Sequence, residues 1–147
     1  MAFLIGVILA VSVGLSASLV GFDRDRAFYP AVMIVIAMYY ALFAVMSGSV
    51  EVLALELPAI VVFVAAAVVG FRRSLWLVVA ALIAHGIYDV SHGQLFSNPG
   101  VPAWWPDFCL AYDVAAGLYL AWRLEADLLH ARRNTEVNVS AKLESGA

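Results

Sequence analysis

A chain of 147 residues is long enough for one domain and hardly for two. Its residues are 65% hydrophobic and 13% charged, whereas soluble domains are about 45–50% apolar and about 25% charged, so the excess apolar surface points to lipid as the solvent. The net charge of -3 and the absence of a basic stripe or recognisable motif speak against a nucleic-acid partner, and a single cysteine, Cys109, excludes an internal disulfide.

A membrane-spanning helix needs about 20 mainly apolar residues. Five segments meet or approach this length, over residues 2–20, 29–46, 52–70, 75–96 and 107–128. The predicted fold is therefore all-α, an integral membrane bundle of five transmembrane helices spanning residues 1–131, followed by a polar, disordered tail at residues 132–147.

The first segment has no basic n-region, so it reads as a retained helix rather than a cleaved signal, although Ser16-Ala17-Ser18 loosely resembles a cleavage site. Gly6, Ala10, Gly14 and Ser18 repeat at a spacing of four and stack on one face, where another backbone can approach closely. That face suits packing within the bundle, with a homo-oligomer contact as the alternative. The loop that follows carries Asp23, Arg24, Asp25 and Arg26, read as a membrane anchor whose alternating charges pair locally.

With five spans, all eight basic residues (Arg24, Arg26, Arg72, Arg73, Arg123, Arg132, Arg133 and Lys142) fall on one side of the membrane. The positive-inside rule then places the N-terminus outside and the tail in the cytoplasm. The Asn138-Val139-Ser140 sequon lies in that tail, on the side where glycosylation is not expected.

The fourth segment carries His85, Asp89 and His92. Positions i, i+4 and i+7 of a helix lie within roughly 60° of one another, so these residues form one stripe. Gly86 and Gly93 flank it and leave room for a neighbouring helix. Ionisable residues in a spanning helix are costly and normally face the bundle interior or a water-filled cavity. The fifth segment adds Asp113, with small neighbours at Cys109, Ala116 and Gly117. Counted from the connecting loop, Asp89 and Asp113 each lie about 10 Å deep, so antiparallel helices set them at matching depth in the outer half of the membrane. Glu56, just before Pro58, is placed to reach the same region.

Three explanations compete for this cluster. A structural network would hold helices in register, at about 0.6 kcal/mol per bond in membranes. That is small against the cost of burying several ionisable groups. A metal site would use imidazole and carboxylate donors suited to zinc, iron or manganese. His85 and His92 lie about 10 Å apart along the axis, so one of them would pair with Asp89, completed by Asp113 or Glu56. In such an enzyme Asp89 and Asp113 are the candidate catalytic carboxylates, one of them serving as general base. The third explanation is a proton or solute path, but the inner halves of the helices offer no continuation.

Residues 97–106 join the two helices with Pro99, Pro102 and Pro106, and with Trp104 and Trp105. The tryptophans fit an interfacial aromatic belt, Asn98-Pro99 is a turn signal, and Pro106 suits the first turn of a helix. The functional alternative is a rigid lid over an outward-opening pocket, with Trp104, Trp105, Tyr88, Tyr112 and Glu56 lining it for a lipid or other amphipathic substrate.

GFDRDRAFYP at residues 21–30, HGIYD at residues 85–89 and NPGVPAWWPDFCLAYD at residues 98–113 resemble a group of small, multi-pass bacterial membrane proteins of uncharacterised function. The resemblance covers nearly all of the chain except the tail. It implies a bacterial inner-membrane location and carries no activity. The chain does not resemble the ceramidase-type zinc hydrolases of the membrane, with seven helices and three metal-binding histidines.

Overall fold

The fold is known from a computed structural model that describes the backbone of residues 1–145 and the side chains of residues 1–138. It is all-helical. Five long helices follow in order, α1 (Ala2–Val20), α2 (Phe28–Met46), α3 (Val50–Arg72), α4 (Trp76–Leu95) and α5 (Trp105–Ser145), with one 3-10 turn at Phe22–Arg24.

Their limits follow from local chemistry. Gly21 ends α1 in the left-handed conformation, φ 90°, which a residue without Cβ adopts at little cost. Ser49 caps α3 by accepting a hydrogen bond from the Val52 amide. Helix α5 takes Pro106 into its first turn and then meets no glycine or proline between Gly117 and Gly146. It therefore continues to Ser145 instead of ending near residue 128, and the predicted disordered tail is corrected to a helical extension, exposed from Leu128 through Asn138. Ordinary helix formers without a breaker propagate a helix even where the pattern has turned polar. The side chains of Val139, Ser140 and Lys142, part of the sequon and of the basic set, lie outside the described residues.

Helices α1, α2 and α3 are long and apolar enough to cross a membrane. In α1 and α3 fewer than a quarter of the residues in the spanning window are buried. Leucine, isoleucine, valine and phenylalanine side chains cover the remaining faces, a surface suited to lipid. Helix α4 has 20 residues but interrupts its apolar run with His85, Asp89, His92 and Gln94.

Helix α1 packs on α5, α5 on α4, α4 on α3 and α3 on α2, with a smaller contact of α2 on α4. Helix α4 thus touches three others and is the hub of the bundle. The small residues permit the closest approaches. A Cβ on Gly6 would collide with the backbone oxygen of Phe108, and one on Gly14 would come within 2.9 Å of the Tyr119 ring. The small face of α1 is thereby taken up by α5 of the same chain, and the oligomer contact offered for that face has no free surface there. Gly86 and Gly117 play the same part between α4 and α5, whereas Gly93 has open space beside it and seats no neighbour.

The aspartate-arginine loop does not pair within itself. Asp23 instead meets Arg123 of α5 at 2.9 Å and accepts a hydrogen bond from Ser18 at 2.5 Å, with Tyr119 2.7 Å from the same hydroxyl. This polar knot ties α1, the loop and α5 together at the end of the bundle opposite the proline- and tryptophan-rich loop.

Candidate functional site

The stripe on α4 faces inward, as an ionisable stripe in an apolar helix must. His85, Asp89 and His92 are all buried, and so are Glu56 of α3, Asp113 of α5 and Asn98 of the following loop. These six residues divide into two groups.

The first group is centred on His85. Its Nδ1 lies 2.8 Å from Asp113 Oδ2 and 3.2 Å from Asp89 Oδ2. Donor atoms of the three residues all lie within 4.8 Å of one another, so the matching depth expected for the two aspartates holds. The Tyr40 hydroxyl donates to Asp89 Oδ1 at 2.5 Å. Two carboxylate oxygens, Asp89 Oδ2 and Asp113 Oδ1, are buried without a hydrogen-bond partner. The Phe63 ring meets His85 edge-on at 4.7 Å and fixes its orientation.

The second group is centred on Glu56. Its Oε1 lies 2.8 Å from His92 Nε2 and accepts a hydrogen bond from Asn98 Nδ2 at 2.8 Å, while Tyr88 donates weakly to Oε2 at 3.4 Å. Asn98 also holds its own loop, accepting from the Gly100 amide at 3.1 Å. A Cβ on Gly100 would collide with the Phe43 carbonyl, so glycine lets the loop lie directly on α2.

His92 therefore belongs with Glu56 and not with the His85 set, which corrects its place among the candidate metal ligands. The seven-residue spacing already keeps the two histidines from sharing an ion. The structure extends this by giving each imidazole a separate carboxylate. Tyr40 and Asn98 hydrogen-bond to these groups, and the sequence did not place them there. An uncharged phenol in an apolar helix and an asparagine before proline have common structural roles. Their partners stand 49 and 42 residues away in the chain.

The expected outward-opening pocket is also corrected. Glu56, Asp89 and Asp113 have no exposed surface and His85 and His92 at most 3%, so both groups are closed. The tryptophan pair does not cover them. Trp105 packs 4.9 Å from Tyr39 and 4.8 Å from Phe43, and Trp104 is half exposed. Both line a separate apolar cleft of about 820 Å³ between α1, α2 and the start of α5, together with Ile5, Tyr39, Cys109 and Tyr112. Tyr112 thus lines that cleft, whereas Tyr88 and Glu56 belong to the polar groups.

No protein-family model, no curated protein and no solved structure matches this chain.

The chemistry available at the first group follows from its charge. Its two buried carboxylates, Asp89 and Asp113, share the one imidazole of His85. If that imidazole is protonated, one negative charge remains without a counterpart. An uncompensated buried charge costs several kcal/mol. The balance can be restored by a proton on one carboxylate or by a cation among His85, Asp89 and Asp113.

Proposed function

We propose that this is a multi-pass inner-membrane protein that holds one divalent metal ion between His85, Asp89 and Asp113. The observation that carries the proposal is that two buried aspartates meet a single imidazole while each keeps one carboxylate oxygen, Asp89 Oδ2 and Asp113 Oδ1, without a hydrogen-bond partner. A divalent ion with neutral His85 and two ionised aspartates is electrically neutral; it gives Asp89 Oδ2 a partner, and Asp113 Oδ1 as well where that carboxylate binds through both oxygens. In a tetrahedral site, metal–ligand bonds of about 2.0–2.1 Å set neighbouring donors about 3.3 Å apart. The 2.8 and 3.2 Å separations here are close to that. Nitrogen and carboxylate donors suit zinc, iron or manganese. Tyr40 acts as the outer partner that orients Asp89, as carboxylate ligands generally require.

In this reading all five helices span the membrane, with the N-terminus outside and the extension of α5 in the cytoplasm, which the positive-inside rule supports. The resemblance to small bacterial membrane proteins supports the inner membrane as the location.

A second reading, a metal-dependent enzyme acting on a lipid or another amphipathic molecule, is favoured by one observation. Cys109, one helical turn before Asp113, forms part of the wall of the apolar cleft. A proton wire is less well supported. The two polar groups meet at Tyr40, but through its hydroxyl on one side and its main-chain oxygen on the other, and a proton cannot pass between those atoms.

Metal analysis of protein purified without added metal tests the proposal. One ion per chain is expected, and it should be lost from Asp89→Asn and Asp113→Asn. A metal-free wild-type protein that is folded and homogeneous would overturn it. A reporter fused after Ala147 should be active only in the cytoplasm.

A further inference from the structure

At the arginine-bearing end of the bundle lies a basin of about 670 Å³ that the candidate metal site does not use. It is framed by the α1–α2 loop, the start of α4 and the middle of α5, and Arg24, Arg26, Arg73 and Arg123 line it. Among the described residues only Arg123 of these four is ion-paired, to Asp23. Three guanidinium groups thus remain available around one concavity.

Two buried atoms at the same basin have unmet and opposite requirements. The Tyr29 hydroxyl has no hydrogen-bond partner, and Tyr29 is only 5% exposed. The Asp23 Oδ1 oxygen also has none, on a side chain 2% exposed. The first can donate and the second can only accept. A partnerless buried polar group costs about 1–3 kcal/mol, so a ligand that satisfies both atoms gains on both. It must offer anionic acceptors to the arginines and Tyr29, and an N–H or O–H donor to Asp23.

The position selects among such ligands. Helix α1 ends at Val20, α2 begins at Phe28 and α3 ends at Arg72, so the basin lies where the apolar helices stop. That is the headgroup level of a bilayer. Its wall continues into Leu75, Trp76 and Leu124, apolar side chains suited to the glycerol backbone and the first carbons of acyl chains. Basic pockets between spanning helices at this level take phosphate headgroups.

We propose that this basin binds the phosphoethanolamine headgroup of a membrane phospholipid. The phosphodiester sits against Arg24, Arg26 and Arg73 and accepts from Tyr29, and the primary ammonium donates to Asp23. The mixture of arginines with Asp23, Asp25 and Asp127 fits a zwitterionic headgroup better than a purely anionic one.

The test is lipid retention by the full-length, delipidated protein, measured by native mass spectrometry. The probes are phosphatidylethanolamine, phosphatidylcholine and phosphatidylglycerol with identical acyl chains. Phosphatidylethanolamine should be held about tenfold more tightly than phosphatidylcholine, which keeps the phosphate but has no N–H; this is the worth of one hydrogen bond to a charged group. Tyr29→Phe, which removes only a partnerless oxygen, and Arg73→Gln, which changes an exposed side chain, should each weaken retention about tenfold. Equal retention of the three lipids, or a preference for phosphatidylglycerol, would overturn the proposal. So would retention that neither variant alters. Soluble phosphoethanolamine binding as tightly as the lipid would also overturn it, by showing that the acyl chains contribute nothing.

Discussion

His85 Nδ1 lies 2.8 Å from Asp113 Oδ2 across the α4–α5 interface, with Asp89 Oδ2 3.2 Å away on the other side. One nitrogen thus faces two carboxylates, and it carries at most one proton. This makes Asp113→Asn a diagnostic substitution. It keeps the shape and removes one charge. With a cation bound, the variant loses a ligand, and affinity should fall by more than about 100-fold, the upper end of what losing an outer-shell partner costs. Thermal stability should fall with it. Without a cation, the same change relieves an excess negative charge and should leave stability unchanged or raised. Unfolding curves of both proteins, with and without a chelator, separate the two outcomes.

Tyr40→Phe removes the donor to Asp89 Oδ1 and leaves that oxygen buried. A cost of about 1–3 kcal/mol is expected, read as a lower unfolding midpoint. Tyr39→Phe is the matched control. Its side chain is on the exposed face, and the change should stay within about 0.5 kcal/mol.

Much of this arrangement was legible before the fold was known. A period-3.6 stripe identified the buried face of α4, and counting residues from the connecting loop set Asp89 and Asp113 level. Both inferences need only helix geometry. What the sequence hid depends on neighbours distant in the chain. Glu56 could be placed near the cluster, but its pairing with His92 and not His85 depends on how α3 crosses α4. Asn98 reads as a turn residue and does form one, yet the same side chain reaches Glu56. The pairing of Asp23 with Arg123 was equally hidden, because Arg24 and Arg26 stand closer in sequence. The helical course of residues 132–145 was legible from the lack of breakers, but polarity outweighed it.

The single cysteine is a built-in reporter of the loop. Cys109 is 3% exposed and should resist maleimide in the native protein. Gly100→Ala drives a Cβ into the Phe43 carbonyl and should lift the loop from α2. A loss of about 1.4 kcal/mol in local stability raises the open population tenfold. Labelling of Cys109 should accelerate by about that factor. An unchanged rate would mean that the loop does not seal this region.

The two glycines of α1 should differ in tolerance. At Gly6 the added methyl meets the backbone of Phe108, which cannot yield, whereas at Gly14 it meets the Tyr119 ring, which can turn. Gly6→Ala is expected to cost about 1–3 kcal/mol and Gly14→Ala less, measured as resistance to unfolding in sodium dodecyl sulfate.

The partnership of α1 with α5 also sets an order of assembly. Ser18 and Tyr119, which touch across it, are 101 residues apart. At about 5–20 residues per second of synthesis, α1 is made roughly 5–20 s before the helix that covers it. During that interval its glycine face is bare in the bilayer and open to any other small-faced helix. Meanwhile α2, α3 and α4 can already join, since each finds a partner among its chain neighbours. The first of these helices to be made is therefore the last to be enclosed, and the α1–α5 seam is where a mutated or overproduced chain would first go astray.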